Sequence, residues 1–257
     1  MEKKLTLKSI EESIKGLEYK QALDHLYLIE KKFGLSLGRL IEKYNKKLAA
    51  EQKEHTRYYK MCEYERNCYK KGIRMIAGVD EAGRGPLAGP VVAASVILPE
   101  DVFIEGLNDS KKLSVQKREK LFDIITKTAV SYGIGIIDEK QIDRINILNA
   151  TKLAMKEAVK SMDKEPEILL VDAVDIEDVN IKCISITKGD SLSVSIAAAS
   201  ILAKVTRDRI IDEMDILYPQ YGFSKNKGYG TQEHIQAIKK FGICPIHRIS
   251  FTKKFTG

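Results

Sequence analysis

The sequence predicts an α/β protein: a mixed five-stranded sheet, three strands antiparallel and then two parallel, flanked by helices, with C-terminal helices and a helical N-terminal extension. Three observations carry this. Apolar runs of strand length at Ile76–Val79, Val91–Leu98 and Ala129–Ile137 lie close together in the chain, which favours antiparallel pairing. Two later runs, Ile168–Val171 and Ile181–Ile186, follow stretches of helical spacing, so the sheet is expected to turn parallel where they join. Ahead of the first run, residues 1–71 show helical periodicity.

In that extension, Ser9-Ile-Glu-Glu12 reads as a capping box opening a helix with Ile10, Ile14 and Leu17 on one face. Leu23, Leu26 and Ile29 continue an apolar stripe to Gly34, and Leu37, Leu40, Ile41, Tyr44 and Leu48 form another. From Glu51 to Lys71, Tyr58, Tyr59, Tyr64 and Tyr69 are interleaved with Lys and Arg. Such a mixture can stack on bases, but packing of one helix onto its neighbour is the favoured reading. Gly72 ends the segment. Residues 1–74 hold 18 Lys plus Arg against 11 Asp plus Glu, whereas residues 75–257 hold 25 of each, so the whole net charge of +7 precedes the first strand. A solvated helical surface and a phosphate-attracting one both fit that excess. The expected division is a basic helical extension, 1–71, able to meet nucleic acid, and a catalytic domain, 72–257.

A hydrophobic content of 44% over 257 residues is enough for one large core and a smaller one. The longest apolar run, Val194–Ala203, falls well short of the roughly 18 residues of a membrane span. A cytoplasmic protein with no membrane partner is expected. Cys62, Cys68, Cys183 and Cys244 have neither Cys-x-x-Cys spacing nor paired histidines beside them, so reduced thiols are expected rather than zinc or disulfides.

Helices follow in chain order, the first of them between the second and third runs. Ser114 is a plausible N-cap for a helix whose Leu121, Ile124 and Ile125 face the core, with Lys111 and Lys112 just ahead of it. Ile142, Ile145, Leu148, Leu153, Met155 and Val159 mark the helix that leads to Pro166 and the fourth strand. A long helix, Ser193–Leu217, opens with small residues, Ala197, Ala198, Ala199, Ser200 and Ala203, suited to lying close on a sheet. Its Lys204 and Arg207 read as solvated charge. A loop, Pro219–Gly230, presents Tyr229 between two glycines, and a helix starts near Thr231. In the tail, His247 reads as a hydrogen-bonded structural residue.

Candidate chemistry gathers at strand ends. Asp80 and Glu81 follow the first apolar run, Asp172 ends the fourth, and Asp190 lies just beyond the fifth. Four acids without a histidine or cysteine cluster are hard oxygen donors, suited to Mg²⁺ or Mn²⁺. Brought together bare they would repel and raise one another's pKa, so two divalent cations are the natural neutralising partners for an in-line phosphodiester displacement.

The run Asp80-Glu-Ala-Gly-Arg-Gly-Pro86, with Ser110-Lys-Lys-Leu-Ser114, Val171-Asp172, Lys188-Gly-Asp190, Ala203-Lys-Val-Thr-Arg-Asp208, Asn226-Lys-Gly-Tyr-Gly230 and His247-Arg248, resembles the type 2 ribonucleases H, bacterial ribonuclease HII in particular. Arg84 between the glycines separates it from the type 3 enzymes. The resemblance implies a ribonuclease H-like fold and a metal-dependent endonuclease. That enzyme would cut the RNA strand of RNA·DNA hybrids and incise 5′ of ribonucleotides embedded in duplex DNA, leaving 3′-OH and 5′-phosphate ends, a step of ribonucleotide excision repair. It implies metal ligation and catalysis by Asp80, Glu81, Asp172 and Asp190. Gly83, Arg84 and Gly85 would read the ribose 2′-OH, and Tyr229 would stack on the neighbouring sugar. A monomer is expected.

Overall fold

The computed structural model describes residues 6–174, 176 and 179–256; the first five residues of the extension lie outside them. The described chain forms two compact units, one ending at Tyr59 and one beginning at Lys60. In the first, α1 (Leu7–Ser13), α2 (Tyr19–Phe33) and the start of α3 (Gly38–Met61) enclose Ile10, Ile14, Leu23, Leu26, Leu37 and Ile41. The expected stripes are the buried faces, except that Leu17 lies beyond the end of α1 and is exposed. The cap of α1 is Thr6 and not Ser9: the Thr6 hydroxyl accepts from the Ser9 amide, and Ser9 closes the box as its third helical residue. Gly34 takes the left-handed conformation that ends α2.

The second unit begins with α4 (Glu63–Tyr69), whose Cys68 packs with Ile76, Ile168, Leu170, Ile186 and Ile196. Of the four tyrosines, Tyr58 is buried, Tyr64 and Tyr69 pack against that cluster, and Tyr59 is exposed. Strand β1 (Ile76–Ala82) leads to β2 (Val91–Ile97), α5 (Val115–Thr128), β3 (Ser131–Ile137), α6 (Glu139–Lys160), β4 (Ile168–Asp172), β5 (Lys182–Ile186) and α7 (Val194–Leu217). A short helix α8 (Phe223–Asn226), then α9 (Gln232–Phe241) and α10 (Ile249–Thr256), complete the chain. The sheet order is β3-β2-β1-β4-β5, antiparallel across β3, β2 and β1 and parallel across β1, β4 and β5.

Period-two alternation assigns each strand residue to a face. Ala77, Val79, Ala93, Leu169 and Val171 join the core built with α6, while Ile76, Ile168 and Leu170 join Ile196 of α7 on the other face. Both helices lie close because glycines face them. A side chain at Gly135 would start 2.0 Å from the Ala154 carbonyl oxygen, and one at Gly78 would start 2.0 Å from the Ser195 carbonyl carbon. By the same parity, Asp80 and Asp172 project toward α7.

Candidate active site

Strand β1 continues through both acids to Ala82, with Glu81 opposite Ala93 and Ala82 opposite Val92. The first strand therefore does not stop at Val79 as its apolar run suggests, because pairing with β2 carries the backbone on. Val79 is in register with Val171 across the parallel β1–β4 pair, which brings the next residues, Asp80 and Asp172, level on one face. Asp190 arrives from the turn after β5, where Lys188 adopts a left-handed conformation and the Gly189 amide donates to Asp172 Oδ1 at 2.7 Å. Carboxylate oxygens of Asp80, Asp172 and Asp190 lie within 4.8 Å of one another.

The electrostatics follow from crowding. Burial first, then the charges of Glu81 and Asp172, push the Asp80 carboxyl well above the usual range, although Ser200 and the Glu81 amide bond to it. Burial also raises Glu81 against the pull of Arg84, whose guanidinium is 3.6 Å away. Burial and the neighbouring Asp109 and Asp172 raise Asp190, whose Oδ2 is 3.5 Å from the Lys111 ammonium. Glu81 Oε2 is buried without a hydrogen-bond partner among the described residues. An orphaned carboxylate oxygen beside three converging acids is a donor set that fits hard divalent cations.

The Gly83–Gly85 bend is built from behind. Arg248, fully enclosed, donates through Nη2 to the Gly83 carbonyl, through Nη1 to those of Arg84 and Pro86, and through Nε to that of Gly89. Arg207, equally enclosed, donates to the carbonyls of Pro90, Lys227 and Ala88. Burial and the charge of Arg207 bring Arg248 down to about 9, so it remains a cation at neutral pH. In a trans peptide the N–H points opposite to its carbonyl, so the Arg84 and Gly85 amides face away from Arg248, at exposed residues. Tyr229 is half-exposed, its Cε1 3.7 Å from where a side chain at Gly85 would begin.

The structure thus brings together Asp80, Asp172 and Asp190, with Glu81 beside them, and sets Tyr229 against Gly85. It corrects Arg207, which is buried in carbonyls rather than solvated; Lys204 pairs with Asp208 at 2.8 Å. His247 is hydrogen-bonded, as expected. Sequence reasoning missed Asp109, which is buried beside Asp190 and accepts from the Lys111 amide, and Arg248 as the partner of the glycine bend. An Asp preceding a Ser-Lys-Lys turn was the available signal for the first.

The family pattern described as Ribonuclease HII matches residues 77–254, and that described as Ribonuclease HII N-terminal domain matches 38–69. The ribonuclease HII of Acetivibrio thermocellus is 62% identical over 251 residues, 98% of each chain. Among solved structures, the ribonuclease H2 of Pyrococcus horikoshii is 28% identical with a TM-score of 0.60, covering 70% of this chain and 96% of its own. Ribonuclease HII of Archaeoglobus fulgidus, solved in complex with PCNA, is 28% identical with a TM-score of 0.58, covering 70% and 94%. With its sheet order, its acid cluster and this similarity along nearly its full length, the chain belongs to the ribonuclease HII family, metal-dependent hydrolases that cleave RNA in RNA·DNA hybrids and ribonucleotides in DNA.

Proposed function

We propose that Asp80, Glu81, Asp172 and Asp190 hold two Mg²⁺ or Mn²⁺ ions and that the bend at Gly83, Arg84 and Gly85 reads the ribose 2′-OH of the nucleotide being cut. Incision falls 5′ of an embedded ribonucleotide and leaves 3′-OH and 5′-phosphate ends. The observation that carries this reading is the convergence of three acids within 4.8 Å beside the orphaned Glu81 oxygen. Bound divalent cations supply Lewis-acid stabilisation of the displacement and lower the pKa of water.

The chain's own residues do the rest. Ser200, bonded to Ser110 at 2.9 Å, and the Glu81 amide orient the Asp80 carboxylate, and the Gly189 amide orients that of Asp172. Outward amides at Arg84 and Gly85 meet oxygen atoms of the substrate, and the Tyr229 ring stacks on the adjoining sugar. Lys111 and Lys112, in the turn before α5, meet the phosphate backbone. The basic extension adds phosphate contacts of its own. The enzyme works as a monomer in the cytoplasm, where its duplex substrates lie; no helix among the described residues is long and apolar enough to cross a membrane.

The deciding experiment compares an all-DNA duplex with the same duplex carrying one ribonucleotide, in Mg²⁺ and in Mn²⁺. Cutting only beside the ribonucleotide is expected, and Asp80→Asn should lower the rate by about 10³-fold or more while duplex binding persists. Equal cutting of the all-DNA duplex would favour a general polynucleotidyl transferase, and binding without any cutting would favour a hybrid-binding protein.

A further inference from the structure

Behind the glycine bend, two buried imidazoles that the acid cluster does not use lie against each other. His234, the third residue of α9, and His247, just before α10, have Nε2 atoms 3.0 Å apart, and both side chains are enclosed. Two ring nitrogens at that distance bond only if one carries a proton and the other does not, and the far ends of the rings decide which. The Cys244 amide donates to His247 Nδ1 at 2.9 Å, so Nδ1 is the bare nitrogen and the proton of His247 sits on Nε2. At the other end, His234 Nδ1 lies 2.8 Å from the carbonyl oxygen of Tyr229, an acceptor, so this ring carries its proton on Nδ1 and accepts through Nε2. Every donor in the chain finds an acceptor: Cys244 amide to His247, His247 to His234, His234 to the Tyr229 carbonyl.

The rings of Tyr221 and Phe223 wall the pair, with His247 edge-on to Tyr221 at 4.9 Å and His234 edge-on to Phe223 at 5.3 Å. The Cys244 sulfur stands 3.1 Å from His247 Nδ1. No carboxylate bonds to either ring among the described residues. The loop that receives the last bond is held at several other points. Thr231 also donates to the Tyr229 carbonyl at 2.8 Å, the Leu87 amide donates to Gly228, and Arg207 donates to Lys227. His247 itself bridges to Ala88, within the segment that follows the glycine bend.

We propose that His234 and His247 are positioning residues for substrate recognition: a relay of two neutral imidazoles in opposite tautomers fixes the Tyr229 backbone, and so the ring's place beside Gly85, before the ribonucleotide-bearing strand arrives. This rests on the reading of Tyr229 as the residue that stacks on the sugar. The relay ties the two halves of the recognition surface together, since the His247 segment pairs with the chain after the bend while His234 holds the tyrosine that faces it. Neither imidazole touches the substrate. Their action runs through the tyrosine, which is where the test is placed.

The test is a double-mutant cycle on the full-length, metal-loaded enzyme with a duplex carrying one ribonucleotide. His234→Phe keeps an aromatic ring in the wall and removes the bond to Tyr229. It should lower kcat/KM about ten-fold, chiefly through KM, while the affinity for an all-DNA duplex without added metal stays the same. In a Tyr229→Ala background the same substitution should cause no further loss. An unimpaired Tyr229→Ala would overturn the stacking role itself. An impaired Tyr229→Ala with an unimpaired His234→Phe, or equal losses from His234→Phe in both backgrounds, would overturn the relay alone. Should His234→Phe not fold, the wild-type protein still decides by ¹⁵N spectroscopy near neutral pH. The expected signature is a proton on Nε2 of His247 and on Nδ1 of His234; the same tautomer in both rings, or an imidazolium, would overturn the relay.

Discussion

Arg248 shows how one side chain can shape the proposed recognition surface without reaching it. Its planar fork satisfies four carbonyls between Gly83 and Gly89, a task for which a lysine ammonium, with three rotating donors, is poorly matched. Arg248→Lys is therefore expected to keep the charge yet loosen the bend, raising KM on a single-ribonucleotide duplex by about ten-fold with a smaller change in kcat. Steady-state kinetics on that substrate, with the metal-ion titration midpoint as control for the acid cluster, check it. At this scale the sequence was informative where chemistry is local and silent where it is not. Four acids at the ends of apolar runs could be read directly. The burial of Arg207 and Arg248 could not, because all but one of their acceptors lie 117–165 residues away and all are backbone atoms that no residue type advertises.

Among the elements, the junction between α4 and α7 governs how the long helix meets the sheet. Ser193 caps α7, accepting from the Ile196 amide, and donates its own proton to Glu65 Oε1 at 2.5 Å; the Ser195 amide donates to the same oxygen. Burial pushes the Glu65 carboxyl up, and the other oxygen has no partner among the described residues. In the window above the ordinary carboxylate range, the folded state binds the proton that the unfolded state has released. Stability from this residue is thus full at acid pH and falls as pH rises through the elevated value. Glu65→Gln retains the acceptor without the charge, so it should match the wild-type melting temperature at acid pH and exceed it at alkaline pH. Glu65→Ala, by leaving the serine hydroxyl and the Ser195 amide without their acceptor, should cost about 1–3 kcal/mol, measurable by urea denaturation. The pairing directions were legible because strand spacing and intervening helices dictate them, as in the switch from antiparallel to parallel at β4. The end of β1 was not, since Asp80 and Glu81 look like turn residues until Ala93 and Ala94 are seen opposite them.

For the whole molecule, the division after Tyr59 changes how the extension should be tested. Residues 1–59 carry 13 Lys plus Arg against 9 Asp plus Glu and enclose a core of their own, whereas α4 supplies Glu65 and Cys68 to the second unit. Removing residues 1–59 is expected to leave a folded enzyme that cuts, with weaker duplex binding and a shallower dependence of log Kd on log salt. Removing 1–71 should in addition lower the melting temperature, because the Ser193 cap loses Glu65. Fluorescence anisotropy across a salt series, alongside thermal denaturation of both truncations, separates the two effects; identical affinity at every salt concentration would rule out a phosphate-binding role for the extension.

The clamp on the glycine bend also has a temporal side. Gly83 and Arg248 are 165 residues apart, so the bend is synthesised well before the side chain that holds it. A nascent chain that has not yet reached Arg248 can display its first two carboxylates and its bend, but it lacks the guanidinium that shapes the bend. A shaped bend is thereby deferred until Arg248 is made, and a translation product cut short before that residue would lack the clamp however well its earlier segments had folded.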